Sequence, residues 1–292
     1  MFTLINCPLV KKYLSLVKFT HTIFALPFAL TGFFLGYITA PDKFEWHLLL
    51  LVVLCMVFAR NAAMGFNRWA DRDIDAENAR TKVREIPSGA ITAKNALIFV
   101  ILNAVAFIIA TWFINKLCFF LSPVALAVVL GYSLTKRITA LCHIVLGLGL
   151  SLAPVGAFIA VTNEFQIAPI VLGIAVLTWV SGFDIIYALQ DEQFDREHKL
   201  HSIPSFLGKN KALMVSSLLH VLTAGCIATF IYLIGGEYLA WGAALFFVSM
   251  LIYQHLLVKP NDLSRVNIAF FTTNGIASVV FASLVISELL LF

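Results

Sequence analysis

Nine stretches, each about the 20 residues needed to cross a roughly 30 Å hydrocarbon layer, carry almost no Asp, Glu, Lys or Arg, and they govern what this chain can fold into. They run approximately over 19–39, 46–66, 95–115, 117–135, 138–161, 166–187, 212–234, 238–258 and 266–288; the second holds Arg60 and the sixth ends in Asp184. Backbone groups in lipid have no water to bond, so a chain of such segments joined by connectors satisfies itself as helices. The spacing therefore predicts an all-α, multi-pass membrane protein, a single domain over 1–292 with about nine transmembrane helices around a central cavity. With 61% of residues apolar and only 12% charged, a water-soluble globular enzyme is excluded.

Nine crossings put alternate connectors on opposite sides, and charge shows which side is which. All but Lys43 and Lys116 of the 20 basic residues fall on the side of the N-terminus and of the connectors after spans two, four, six and eight. Basic residues stay cytoplasmic, so the N-terminus is expected inside and the C-terminus on the opposite side of an inner or plasma membrane. The net charge of +4 follows from this topology and calls for no nucleic-acid partner. The opening MFTLINCPLVKKYL is too short in its apolar part for a signal-peptide core and is expected to be retained. Five cysteines without C-x-x-C spacing read as buried small hydrophobes.

Two cytoplasmic connectors, 67–94 and 184–211, hold ten of the 16 acidic residues. Both are far longer than ordinary helix links, and long ordered connectors usually carry function. Asp71 and Asp75 recur 120 residues later as Asp191 and Asp195, and Ile86-Pro87-Ser88 recurs 117 residues later as Ile203-Pro204-Ser205. Two pseudo-repeats are implied, each contributing one acidic connector to a shared site.

At about 100° per residue, Asn67, Asp71 and Asp75 fall on one helical stripe. Asp184, Asp191 and Asp195 form a second, whereas Asp73 and Glu192 point elsewhere. Carboxylates this close repel unless a cation compensates them. An all-oxygen donor set selects a hard ion such as Mg²⁺, which keeps several waters and is commonly held by one or two carboxylates plus phosphate oxygens. The facing acid rows thus read as a diphosphate clamp. Arg60, two turns before Asn67, and Lys136-Arg137 at the end of the fourth span are placed to neutralise phosphate oxygens. A single D-x-x-x-D at a helix end would be an ordinary solvated face; two copies in matching context are not. His143, His220 and His255, each alone on an apolar span, read as hydrogen-bonded packing residues.

These residues are recognisable as a pattern. Asn67, Asp71 and Asp75, followed by Arg80-Thr81, Arg84 and Ile86-Pro87-Ser88-Gly89, resemble the first signature of the UbiA superfamily of intramembrane prenyltransferases. Asp184, Tyr187, Asp191 and Asp195 resemble the second, and Arg60, Tyr132 and Lys136-Arg137 also match positions of the pattern. Within the superfamily the likeness is to the 4-hydroxybenzoate polyprenyltransferase-like branch. One departure stands out: Arg68 follows Asn67 where that family commonly has Asp. It lies about 100° round the helix and need not enter the metal stripe.

The resemblance implies Mg²⁺-dependent transfer of a polyprenyl group from its diphosphate to a small aromatic acceptor, 4-hydroxybenzoate or a dihydroxynaphthoate, in ubiquinone or menaquinone biosynthesis. It implies that Asn67, Asp71, Asp75, Asp191 and Asp195 hold the metal, and that Arg60, Lys136 and Arg137 hold the diphosphate. Asp184, at the embedded edge of its stripe, is the candidate to contact the acceptor or accept its phenolic proton. Lys18 and His21 are candidates for an acceptor carboxylate. The isoprenoid tail is expected in a lipid-open groove. The alternative from another class is a secondary transporter, which also uses intramembrane acids and repeats; the acids here lie at cytoplasmic helix ends, with no polar counterpart in the opposite half.

Overall fold

The computed structural model describes residues 8–17, 24–43 and 45–291. Apart from one isolated pairing of Lys259 with Asp262, every regular element among them is helical. Eight segments are long and apolar enough to cross a membrane: Trp46–Ala70, Ala93–Ile114, Lys116–Thr135, Cys142–Thr162, Ile167–Glu197, Ile203–Leu233, Tyr238–Leu257 and Ile268–Leu291. They correspond to spans two to nine of the sequence reading. The expected first span contains a shorter apolar helix, Leu26–Thr39, preceded by residues outside the described set. In chain order the helices are α1 (Pro8–Leu16), α2 (Leu26–Thr39), α3 (Trp46–Ala70), α4 (Arg72–Glu77), α5 (Ala93–Ile114), α6 (Lys116–Thr135), α7 (Cys142–Thr162), α8 (Ile167–Ala188), α9 (Glu192–Glu197), α10 (Ile203–Leu233), α11 (Tyr238–Leu257) and α12 (Asn274–Leu291).

Helix α8 runs through the centre, with α7 and α10 packed along it. Lipid gives apolar helices no hydrophobic reason to associate, so close packing at small residues must hold them. At Gly147 a Cβ would stand 2.4 Å from the Leu177 carbonyl oxygen, and at Gly182 a Cβ would stand 2.3 Å from His220 Nε2. Only glycine permits these two approaches. In the core, Trp179 is fully buried against Phe28, Phe183 and Phe247, with ring centroids 5.1 to 5.4 Å apart. Its indole N–H, which could not be left unbonded there, donates to Asn274 Oδ1 at 2.9 Å. Asn274 in turn donates to the carbonyls of Ala269 and Phe270, which the π-helical turn at Ile268–Thr273 turns aside from the regular ladder.

The two acidic connectors are shorter than the sequence suggests because helices absorb their ends. Asn67 lies in the last turn of α3, Asp184 in that of α8, and 203–211 belongs to α10. The duplicated Ile-Pro-Ser also folds in two ways. Ile86-Pro87-Ser88 lies in a run of turns ending at Gly89 (φ 75°), whereas Ile203-Pro204-Ser205 opens α10, where Ser202 and Ser205 form a reciprocal capping box. Gly208, at φ 76°, then kinks that helix.

At the end of the bundle away from these connectors, α11 begins without a cap of its own. Glu288 of α12 supplies one: Oε1 accepts from the Glu237 N–H at 2.7 Å, and Oε2 accepts from those of Leu239 and Ala240 at 2.8 and 3.0 Å. A carboxylate at a helix N-terminus satisfies orphan donors and complements the helix dipole. Glu288→Ala is expected to lower stability by about 2 kcal/mol or more. Thermal unfolding of the detergent-solubilised protein reads this directly, and an unchanged midpoint would contradict the capping role.

Candidate active site

The first acid row is assembled where α3 gives way to α4. Asp71 sits at the junction, yet the Asp71 N–H bonds the Asn67 carbonyl at 2.9 Å and the Asp75 N–H bonds that of Asp71 at 2.7 Å. The i to i−4 ladder therefore carries through, and the stripe survives the break. The second row spans the end of α8, a short 3₁₀ turn at Leu189–Asp191, and α9. Both rows line one cavity of about 840 Å³, together with Arg60, Tyr132, Lys136 and Tyr187. As the helical phase predicts, Asp73 and Glu192 lie off it; Asp73 pairs with Arg72 at 3.5 Å and Glu192 with Arg196 at 2.5 Å.

Each row is held by cations from elsewhere in the chain. Asp71 meets Lys136 Nζ at 3.2 Å and Arg137 Nη2 at 3.3 Å, and its Oδ2 accepts from Asn67 Nδ2 at 3.3 Å. Arg84 donates to both oxygens of Asp75, at 2.7 and 2.8 Å. Arg80 grips Asp191 with its Nε and Nη2, reaches the Tyr187 hydroxyl at 3.2 Å, and lies over the Tyr187 ring. Burial alone would lower the pKa of the Arg80 guanidinium, but its bonds to Asp191 outweigh that and hold it above the ordinary value. Asn78 adds a bond to Asp191 Oδ1 at 3.3 Å. The first connector thus closes directly onto the second acid row. Asp195 is buried facing Ser202 and Lys136.

His143 belongs to this site, although as a single histidine on an apolar span it reads as packing. Its Nε2 accepts the Ile203 backbone N–H at 3.3 Å, which leaves Nδ1 protonated to donate to Asp184 Oδ2 at 2.7 Å. Asp184 is thereby held in a fixed orientation. Arg80 and Arg84 are further residues lining the cavity that helical spacing alone does not reveal. Arg137 reaches Asp71 and the Ala70 carbonyl but does not line the cavity, whereas Lys136 does. Arg68, about 100° round the helix from Asn67, lines the same cavity as the acid row. Lys18 and His21 lie outside the described residues.

Beside the polar cavity runs a second, almost wholly apolar groove of about 330 Å³, formed by residues such as Val52, Met56, Phe107, Leu121, Val128 and Gly156. Arg60, Met64, Tyr132, Leu146 and Leu150 line both spaces and join them. Among the described residues no three His, Cys, Asp or Glu side chains converge to cage a metal unaided. The oxygen donors of the two rows nevertheless fit Mg²⁺, which needs few protein ligands when phosphate oxygens complete its shell.

The UbiA prenyltransferase family model matches residues 25–276. A 4-hydroxybenzoate octaprenyltransferase of Aliivibrio salmonicida is 30% identical over 277 residues, covering 94% of this chain and 93% of that one. Another from Saccharophagus degradans is 32% identical over 262 residues, covering 87% and 85%. Among solved structures, a UbiA homologue from Aeropyrum pernix K1 superposes with a TM-score of 0.82 at 28% identity, covering 92% of this chain and 98% of that one. A UbiA homologue from Archaeoglobus fulgidus bound to DMAPP and Mg²⁺ gives 0.75 at 20% identity, covering 96% and 100%.

The ion pairs make a prediction independent of activity. Arg84→Gln strands the buried Asp75 carboxylate and is expected to cost about 3 kcal/mol or more in thermal unfolding. Adding Asp75→Asn should recover most of that loss; a double variant no more stable than the single one would refute the pairing.

Proposed function

The chain belongs to the UbiA prenyltransferase family, and on that premise we propose that it transfers a polyprenyl group from its diphosphate to a 4-hydroxybenzoate-like ring in quinone synthesis, using Mg²⁺. Family membership decides for the enzyme over the transporter. The reading is carried by one observation: a charged cavity bearing both acid rows opens, through Arg60 and Tyr132, into an apolar groove. Such a site suits a substrate that is a polyanion at one end and a hydrocarbon at the other.

Each methylene withdrawn from water is worth about 0.8 kcal/mol, so the tail belongs in the groove and the diphosphate among the charges. Asn67, Asp71, Asp75, Asp191 and Asp195 would hold Mg²⁺, which supplies positive charge to the departing diphosphate. Arg60 and Lys136 offer N–H donors to its oxygens from the cavity wall, and Arg137 fixes Asp71 from outside it. The allylic C–O bond breaks with its electron pair leaving on the diphosphate. The ring carbon beside the phenolic hydroxyl forms the new C–C bond, and the hydrogen on that carbon leaves as a proton. Asp184, oriented by His143, takes the acceptor's phenolic proton as the C–C bond forms and returns it to that oxygen when the ring proton passes to the departed diphosphate.

The basic connectors face the cytoplasm, which places the cavity mouth where water-soluble acceptors are found. The apolar helix at Leu26–Thr39 belongs to a ninth crossing, and the chain forms one domain.

The deciding assay offers membranes containing the protein one polyprenyl diphosphate, Mg²⁺ and either 4-hydroxybenzoate or a dihydroxynaphthoate, and identifies the product by mass. A prenylated ring is expected; substrate left intact with both acceptors would reject the reading. Asp71→Asn and Asp191→Asn should each reduce turnover by about a hundredfold or more while insertion is retained, and full activity would remove these residues from the metal site. At Gly156 a Cβ meets nothing within 4 Å. Gly156→Phe should therefore fill the groove and move preference by roughly tenfold toward short prenyl diphosphates in a competition between chain lengths.

A further inference from the structure

Arg68 is 5% exposed and lines the polar cavity, yet none of its guanidinium nitrogens makes a hydrogen bond or ion pair among the described residues, and Nε is fully enclosed without a partner. A buried guanidinium left unbonded is costly, so its donors call for an anion that the fold itself does not provide. The nearby acids do not serve. Asp75 gives both oxygens to Arg84, and Glu85 Oε1 accepts from Ser15 at 2.5 Å. Glu85 Oε2 is buried without a bond, so Glu85 balances the charge of Arg68 through space while leaving the N–H fork free.

The other cations already have carboxylate partners: Arg80 pairs with Asp191, Arg84 with Asp75, and Lys136, with Arg137 from outside the cavity, with Asp71. Arg60 also has an enclosed Nε without a partner, but it stands at the junction with the groove, where the reacting end of the prenyl chain must meet its diphosphate. Arg68 is two turns further toward the connectors; its phase is about 100° from Asn67 and about 20° from Asp75, so it faces the same cavity from beside the acid row.

We propose that Arg68 is the specificity residue of the acceptor subsite, binding the carboxylate of an aromatic acid by the two parallel N–H bonds that a guanidinium offers. This rests on the prenyl-transfer reading for the identity of the acceptor. In a hydroxybenzoate the carboxylate and hydroxyl lie at opposite ends of the ring, so one acceptor needs two separated polar groups; Arg68 on α3 and Asp184 on α8 line the same cavity and supply them.

Equilibrium binding to the detergent-solubilised full chain, followed by tryptophan fluorescence, tests this without turnover. The probes are 4-hydroxybenzoate, its neutral analogue 4-hydroxybenzamide, and inorganic pyrophosphate with Mg²⁺. Arg68→Gln should weaken 4-hydroxybenzoate roughly ten- to hundredfold, with Arg68→Lys in between, and leave 4-hydroxybenzamide and pyrophosphate within about twofold. Glu85→Gln should retain 4-hydroxybenzoate binding. The assignment is overturned if Arg68→Gln loses both aromatic ligands equally, if Glu85→Gln matches its loss, or if exchanging the pair as Arg68→Glu with Glu85→Arg restores binding, since a purely structural pair would behave so. Should Arg68→Gln not fold, Arg68→Lys and the unaltered protein's choice of acid over amide still decide, and no preference for the acid overturns the subsite. Absence of prenylated product with carboxylate discrimination intact would reject only the transfer reading; product formed without discrimination would reject only the subsite.

Discussion

A carboxylate enclosed at the end of a membrane helix must find a counter-charge, and the architecture of this protein's reactive end follows from how that requirement is met. Asp71 closes the last turn of α3 but draws Lys136 and Arg137 from the end of α6; Asp191, beyond α8, draws Arg80 from the first connector. These bonds bring separate parts of the chain onto one cavity. Buried ion pairs seldom stabilise a fold more than well-packed apolar residues would, because desolvation consumes the Coulombic gain. Their presence in a chain otherwise so apolar is therefore better explained by chemistry at the site than by stability.

The same economy separates the two ends of the substrate. The charged side chains of the site gather in the cavity between the helix ends, while the groove beyond Arg60 and Tyr132 is almost wholly apolar. Close glycine contacts at Gly147 and Gly182 bind α8 to α7 and α10. That central packing fixes Asp184 and Tyr187 at one wall of the cavity, and α3 carries Asn67 and Arg68 at another.

What could be read in the sequence was what depends on local periodicity. Eight apolar spans, the Asn67–Asp71–Asp75 stripe, and the outward phase of Asp73 and Glu192 all follow from 3.6 residues per turn, and the helical ladder through Asp71 preserved that phase. What could not be read were partnerships made by tertiary folding. Arg80 meets Asp191 across 111 residues and His143 meets Asp184 across 41, separations that no periodicity encodes. The 100° step from Asn67 to Arg68 describes that pair alone; Arg68 is about 20° from Asp75 in phase, and it lines the cavity with the acid row. The Ile-Pro-Ser repeat, exact in sequence, divides into a turn and a capped helix, since its flanking residues decide the backbone.

Counting charge over the whole cavity explains how it accommodates a polyanion in a membrane. The carboxylates lining it are Asp71, Asp75, Glu85, Asp184, Asp191 and Asp195; the cations are Arg60, Arg68, Arg80, Arg84 and Lys136, joined by Arg137 bonded to Asp71. Among the described residues the two sets balance. A strongly cationic pocket would bind diphosphate ions indiscriminately and resist losing them, while a strongly anionic one would repel both substrates. A balanced cavity instead favours ligands that arrive as near-neutral assemblies, such as a diphosphate carrying divalent ions, because these can exchange partners with the existing pairs without leaving net charge in a poorly solvating medium. Metal and diphosphate are thus each expected to bind weakly alone and well together, a coupling built from the arrangement of the charges and not from their number.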